Sequence, residues 1–193
     1  MYSKLTINVG GMFSGKTTEL LRQGKRHTLA NDEVIYIKPD IDNRYSNTKI
    51  VSHTGEASDY TKSIVLGTNE SILRRETMEA DVILIDEVQF FSDKIIGDIL
   101  ALVQVGKKVY CSGLDLSFDH KPFEITAILM AYADVINKFK AVCSGCGRDA
   151  FITAKKGTGN TNTIDVGSAD KYVPLCRECY IKNNIGGMVK SEQ

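Results

Sequence analysis

Gly10-Gly11-Met12-Phe13-Ser14-Gly15-Lys16-Thr17 matches G-x-x-x-x-G-K-[ST] at every position, and its setting narrows the fold sharply. Leu5, Ile7 and Val9 alternate with Thr6 and Asn8 before it, which predicts a strand. Lys16 to about Leu29, carrying Leu20, Leu21 and Leu29, predicts a helix after it. A glycine loop between strand and helix turns backbone N–H groups and the positive helix end toward phosphate oxygens. In that role Lys16 would neutralise the β/γ-phosphates and the Thr17 hydroxyl would ligate Mg²⁺. This motif specifies a nucleoside triphosphate and nothing narrower; the bland alternative is a glycine-rich turn with a chance lysine.

The rest of the first 142 residues repeats strand and helix. Val34–Ile37 predicts a strand closed by Pro39, and Asp40–Asp59 a long mobile polar loop. Val82–Ile85 is an unbroken apolar run, as in parallel strands covered on both faces. Ile95–Val105 and Phe123–Ala133 suit helices, Lys108–Ser112 a strand, and Asp134–Val142 contains one more strand. The alternation implies an α/β domain with right-handed crossovers and a parallel sheet over 1–142. From Cys143 the pattern changes: short β-like pieces at Ala150–Ala154 and Thr163–Val166 flank the Gly/Thr/Asn-rich Lys156–Asn162. A small second lobe is therefore expected over 143–193.

Asp86-Glu87 closes the apolar strand, where ligands gather in parallel sheets. Asp86 fits a carboxylate that positions Mg²⁺, and Glu87 fits a base accepting a proton from the attacking nucleophile. The two residues alone do not decide between water and a substrate hydroxyl, and solvated carboxylates at a strand end are common.

Cys143-x-x-Cys146 and Cys176-x-x-Cys179 are spaced as two knuckles of a structural tetrahedral zinc site, with a disulfide or redox pair as the alternative. The fifth cysteine, Cys111, lies in an apolar strand and reads as a small core residue. With 24 basic and 24 acidic residues, no global field favours nucleic acid or a membrane. The N-terminal residues show no signal-peptide pattern, and no apolar run approaches the roughly 20 residues of a membrane span. A cytoplasmic location is expected, or the host cytosol if the chain is viral.

Taken together, Gly-x-Met-Phe-Ser-Gly-Lys-Thr-Thr (Gly10–Thr18), Ile-Asp-Glu-Val-Gln-Phe-Phe (Ile85–Phe91), Gly-Leu-Asp-x-x-Phe-x-x-Lys-Pro-Phe (Gly113–Phe123) and the paired cysteines resemble the cellular, or type II, thymidine kinases, from about residue 4 to 180. The resemblance implies a RecA-like sheet, a zinc-anchored lasso closing over the nucleoside, and ATP-dependent phosphorylation of thymidine, and of deoxyuridine, at the 5′-hydroxyl. It also implies a homotetramer and feedback inhibition by dTTP. Glu87 would deprotonate the 5′-hydroxyl, and Arg44, in Asp42-Asn43-Arg44, would sit near the transferring phosphoryl group. The ATP site would comprise Gly10 to Thr18 with Asp42, Arg44, Asp86 and Gln89. Met12, Phe90, Leu114, Phe118 and Phe123 would wall the base pocket. In the lasso, Thr153, Thr163, Ile164, Asp165, Val166, Gly167 and Tyr172 would line the nucleoside. Asp165 and Ser168 depart from the family's usual aliphatic residue and glycine.

Two other readings use the same residues. A RecA-like ATPase gripping DNA through the zinc lobe would show DNA-stimulated, thymidine-insensitive hydrolysis, but the charge balance is zero. A nucleotide-sensing zinc adaptor would not need the intact Lys16, Thr17 and Asp86-Glu87.

Overall fold

The computed structural model describes residues 4–41, 62–155 and 171–182. Six strands form one parallel sheet in the order β3-β2-β4-β5-β1-β6: β1 Lys4–Val9, β2 Val34–Pro39, β3 Lys62–Leu66, β4 Val82–Ile85, β5 Lys108–Gly113 and β6 Val135–Lys138. The side-chain alternation of each strand divides the core in two. Val34, Tyr36, Val82, Leu84 and Tyr110 face helix α1 (Lys16–Leu29) and bury Leu20. Ile35, Ile37, Ile83, Ile85, Val109 and Cys111 face the other way. There they meet Ile95, Ile99 and Leu102 of α3 (Lys94–Gln104) and Leu129 of α4 (Glu124–Tyr132). Burying one such side chain contributes about 1.5–3 kcal/mol, which accounts for the run of apolar residues through β4. Burial also pushes the Cys111 thiol up, so it is a core residue.

Helix α1 lies very close to the sheet. A Cβ added at Gly24 would stand 1.8 Å from Tyr36 Oη and 2.6 Å from Leu84 Cδ1. Leu20 and Gly24 form the buried stripe, whereas Leu29 ends the helix 76% exposed and takes no part in the core. A short helix α2 (Arg75–Glu79) precedes β4.

The expected fold class is observed, with local corrections. Asp134–Val142 holds two strands, β6 and β7 (Ala141–Val142), in different sheets. Phe139 N–H bonds Val9 O at 2.8 Å, closing the large sheet just before the chain leaves it. Ala150–Ala154 is likewise divided, between β8 (Asp149–Ala150), antiparallel to β7, and β9 (Ile152–Lys155), antiparallel to β10 (Tyr172–Leu175). Strand β3, helix α2 and strand β10 were not legible as elements. The loop expected over Asp40–Asp59 and the β-like piece at Thr163–Val166 fall largely outside the described residues. Among the described residues no helix is long and apolar enough to cross a membrane.

Gly24→Ala removes a helix-weakening glycine yet is expected to destabilise the protein by about 1–3 kcal/mol, because the methyl group must displace Tyr36 or Leu84. A lowered thermal midpoint in the variant checks this; an unchanged or raised midpoint would show that the helix can lift away freely.

Candidate functional site

The carboxyl ends of β1, β4 and β5 bring three sequence motifs to one edge of the sheet. The first is the phosphate loop between β1 and α1. Gly10 has φ 145°, and a Cβ there would stand 2.4 Å from Phe139 O, so only glycine fits. Phe13 also takes a positive φ of 65°. Ser14 Oγ and Lys16 Nζ both donate to Gly11 O at 2.8 Å, folding the loop around the space above the helix end. Gly15 caps α1 in the left-handed region, and the exposed Thr18 follows Thr17 in its first turn.

The second motif supplies the carboxylates. Asp86 N–H bonds Ile37 O at 2.9 Å, and the Asp86 side chain is buried. Thr17 Oγ1 donates to Asp86 Oδ2 at 3.0 Å. Oxygens on adjacent vertices of a Mg²⁺ octahedron lie about 2.9 Å apart, so this pair fits neighbouring positions in such a shell. Glu87 begins a 3-10 turn (Val88–Phe90) with φ 49°, a conformation that costs a non-glycine residue roughly 1–3 kcal/mol and is concentrated at functional positions. Its N–H bonds Asp86 Oδ1 at 3.0 Å, and Gln89 Nε2 donates to its Oε2 at 2.5 Å.

Gln89, 7% exposed, also accepts the Leu114 N–H through Oε1 at 3.0 Å. One amide thus ties the carboxylate of Glu87 to the third motif, the segment following β5. That segment forms a compact turn: Ser117 N–H bonds Lys121 O at 2.9 Å, Phe123 N–H bonds Asp115 O at 3.1 Å, and Leu116 bridges Pro122. Asp115, nearly buried, pairs with Lys138 Nζ at 3.0 Å.

The small sheets dock on this edge. Thr153, 7% exposed on β9, accepts the Met12 N–H at 3.0 Å through Oγ1, joining the second lobe to the phosphate loop. Tyr172, buried on β10, packs its ring 6.2 Å from that of Phe118, and Lys155 Nζ lies 5.1 Å from the Phe118 centroid. Met12, Thr153, Phe118 and Tyr172 are therefore brought to the same seam. Phe90, Leu114 and Phe123 are half-buried on the adjoining segments. Asp42, Arg44, Thr163, Ile164, Asp165, Val166 and Gly167 lie outside the described residues.

Cys143, Cys146, Cys176 and Cys179 bring their sulfurs within 4.8 Å of one another, and Cys146 and Cys176 Sγ are 3.7 Å apart. Sulfurs on a zinc tetrahedron with 2.3 Å bonds are separated by about 3.8 Å. A disulfide would require about 2.05 Å, and all five cysteines are free. Two backbone groups point at the sulfurs: Cys176 N–H at Cys143 Sγ (3.2 Å) and Cys179 N–H at Cys176 Sγ (3.4 Å). Such donors stabilise thiolates, so the four residues fit zinc. The Arg148 guanidinium, donating to Cys146, holds that thiol down at about 6. Arg148 and Glu178 carry no motif of their own; the one signal is that each falls within two residues of a cysteine ligand.

A family model described as thymidine kinase matches residues 3–180. The thymidine kinase of Pseudothermotoga lettingae is 36% identical over 182 residues, covering 94% of this chain and 97% of that protein. Domain III of the Thermotoga maritima replication initiation protein DnaA, a solved structure, is 15% identical with a TM-score of 0.43. That match covers 72% of this chain and 55% of that one, too low a similarity to bear on the site.

Metal analysis of reduced protein never exposed to chelator is expected to find close to one zinc per chain. A value near zero would overturn the zinc assignment.

Proposed function

The chain belongs to the thymidine kinase family, and from that premise we propose that it transfers the γ-phosphoryl group of ATP to the 5′-hydroxyl of thymidine, and of deoxyuridine. The observation that carries the reading is the meeting of the Thr17–Asp86 pair, the Glu87–Gln89 pair and the Met12–Thr153 contact at one sheet edge. A nucleotide loop, a candidate base and the second lobe converge there.

This arrangement supports a role for each of the described residues. Backbone N–H groups from Gly10 to Thr18, with Lys16, hold the phosphates. Thr17 and Asp86 would hold Mg²⁺, which offsets charge on the transferring group. Glu87 accepts the 5′-hydroxyl proton as the oxygen attacks phosphorus in line, and Gln89 keeps the carboxylate turned toward the nucleoside side. Arg44, with Asp42, is assigned to the phosphates on the family resemblance alone. Met12, Phe90, Leu114, Phe118 and Phe123 enclose the pyrimidine, where flat apolar walls suit an aromatic ring. Thr153 and Tyr172 complete the enclosure from the second lobe, and Thr163–Gly167 are assigned to the nucleoside on the family resemblance alone.

The division into a nucleotide-binding unit (1–142) and a zinc-anchored lobe (143–193) is supported by the change from one parallel sheet to two small antiparallel ones, although β7 (Ala141–Val142) already pairs with β8 and goes with the lobe. The lobe's task is to exclude water, which would otherwise compete for the phosphoryl group. A homotetrameric state and dTTP inhibition are proposed from the resemblance, and a cytoplasmic location from the sequence pattern alone.

Incubation of pure protein with labelled ATP and each deoxynucleoside in turn tests the activity: thymidine and deoxyuridine should be phosphorylated. Nucleic-acid-stimulated hydrolysis insensitive to thymidine would refute it. Glu87→Gln is expected to lower kcat by about 10²–10⁴-fold while ATP affinity stays near that of the parent protein. Near-normal turnover in that variant would remove Glu87 from the base role.

A further inference from the structure

Cys146 is the exposed member of the four-cysteine cluster. On this open side Arg148 makes three connections. Its backbone carbonyl accepts the Cys143 N–H at 2.8 Å, its Nε donates to Cys146 Sγ at 3.4 Å, and its Nη2 pairs with the Glu178 carboxylate. Glu178 lies between Cys176 and Cys179 and is anchored in turn by Lys182 Nζ at 2.9 Å. One side chain therefore touches a sulfur of the first knuckle and a carboxylate of the second.

Surface ion pairs between residues this exposed, 62% for Arg148 and 51% for Glu178, add little to folding stability. The sulfur contact gives the pair another purpose. Four thiolates around Zn²⁺ carry a net charge of about −2. An N–H donor on a ligand sulfur spreads that charge and makes the sulfur a poorer target for protons and electrophiles. Outer groups that orient metal ligands commonly control metal affinity by 10–100-fold.

We infer that Arg148, oriented by Glu178, is the outer-shell clamp that joins the two cysteine knuckles and governs how slowly this site releases zinc. The inference rests on the zinc reading above. Arg177 provides an internal contrast. It lies directly beside Cys176, but its guanidinium sits over the Phe151 ring at 5.1 Å, with Lys140 Nζ 5.4 Å from the same centroid. Removing Arg177 takes away the same charge without removing the Cys146 contact.

The test uses full-length reduced protein carrying zinc, an excess of chelator with a zinc-sensitive dye, and mass-spectrometric mapping of alkylation at Cys146. Arg148→Ala should release zinc roughly 10–100-fold faster and expose Cys146 to alkylation correspondingly. Arg148→Lys, which keeps charge but loses the fork, should fall between the two. Glu178→Gln should accelerate release more modestly, and Arg177→Ala should stay within about twofold of the parent. Release from Arg148→Ala within about twofold of the parent, or equal acceleration by Arg177→Ala, would overturn the clamp. If Arg148→Ala does not fold, Glu178→Gln decides: unchanged release overturns the inference. Parent protein that holds no zinc would overturn the metal reading itself, a failure distinguishable from the loss of the clamp alone.

Discussion

The 3.0 Å contact between Thr17 and Asp86 joins two segments that are distant in the chain, and the site is organised around it. It can form only if the first turn of α1 sits directly over the end of β4. Leu20 is buried in the cluster of Val34, Tyr36, Val82, Leu84 and Tyr110 on one side of the sheet, and Gly24 lets the helix backbone approach the Tyr36 hydroxyl. The same approach aims the helix N-terminus, the positive end of its dipole, across the carboxyl edge of the sheet. Phosphate binding and carboxylate placement are thus two results of one packing decision.

From that edge the remaining parts follow by short polar links. Glu87 is lifted out of the strand line by its left-handed backbone, and Gln89 spans from its carboxylate to the backbone of Leu114. A substrate held against the Leu114–Phe123 segment therefore shares a hydrogen-bonded frame with the base that would act on it. The Met12–Thr153 bond ties the second lobe to the phosphate loop itself. On the proposed reading, enclosure of one substrate and cradling of the other would be mechanically connected.

The second lobe is held differently. Among the described residues its shared core is small, with Ala141, Ala150, Ala154 and Leu175 around Cys143 and Cys176, and its two sheets have two strands each. Isolated two-stranded sheets are marginal in water. Zinc held by the cysteine cluster would supply what the apolar core lacks, by fixing the two knuckles that bracket residues 147–175. The aromatic contacts Phe118–Tyr172 and His120–Tyr180 then carry that fixed geometry to the segment after β5.

Much of this was legible in sequence because it is local. The strand–loop–helix at Leu5–Leu29, the apolar run Val82–Ile85 and both Cys-x-x-Cys pairs each carry their meaning within a few residues. The misread stretches lack that local signal. Val135–Lys138 and Ala141–Val142 read as one strand because only Phe139 and Lys140, with no Gly or Pro to signal a turn, mark the passage from one sheet to the other. Strands β3 and β10 have few alternating apolar residues and owe their form to partners already in place. By itself, then, the sequence determined the fold class, the strand–loop–helix motif and the paired cysteines, all matters of spacing and periodicity. Only the tertiary structure decided that Gln89 supports Glu87, that Thr153 braces the phosphate loop, and that Arg148 spans the cysteine knuckles. Each depends on side chains meeting across many intervening residues, where direction and reach, not residue type, select the partner.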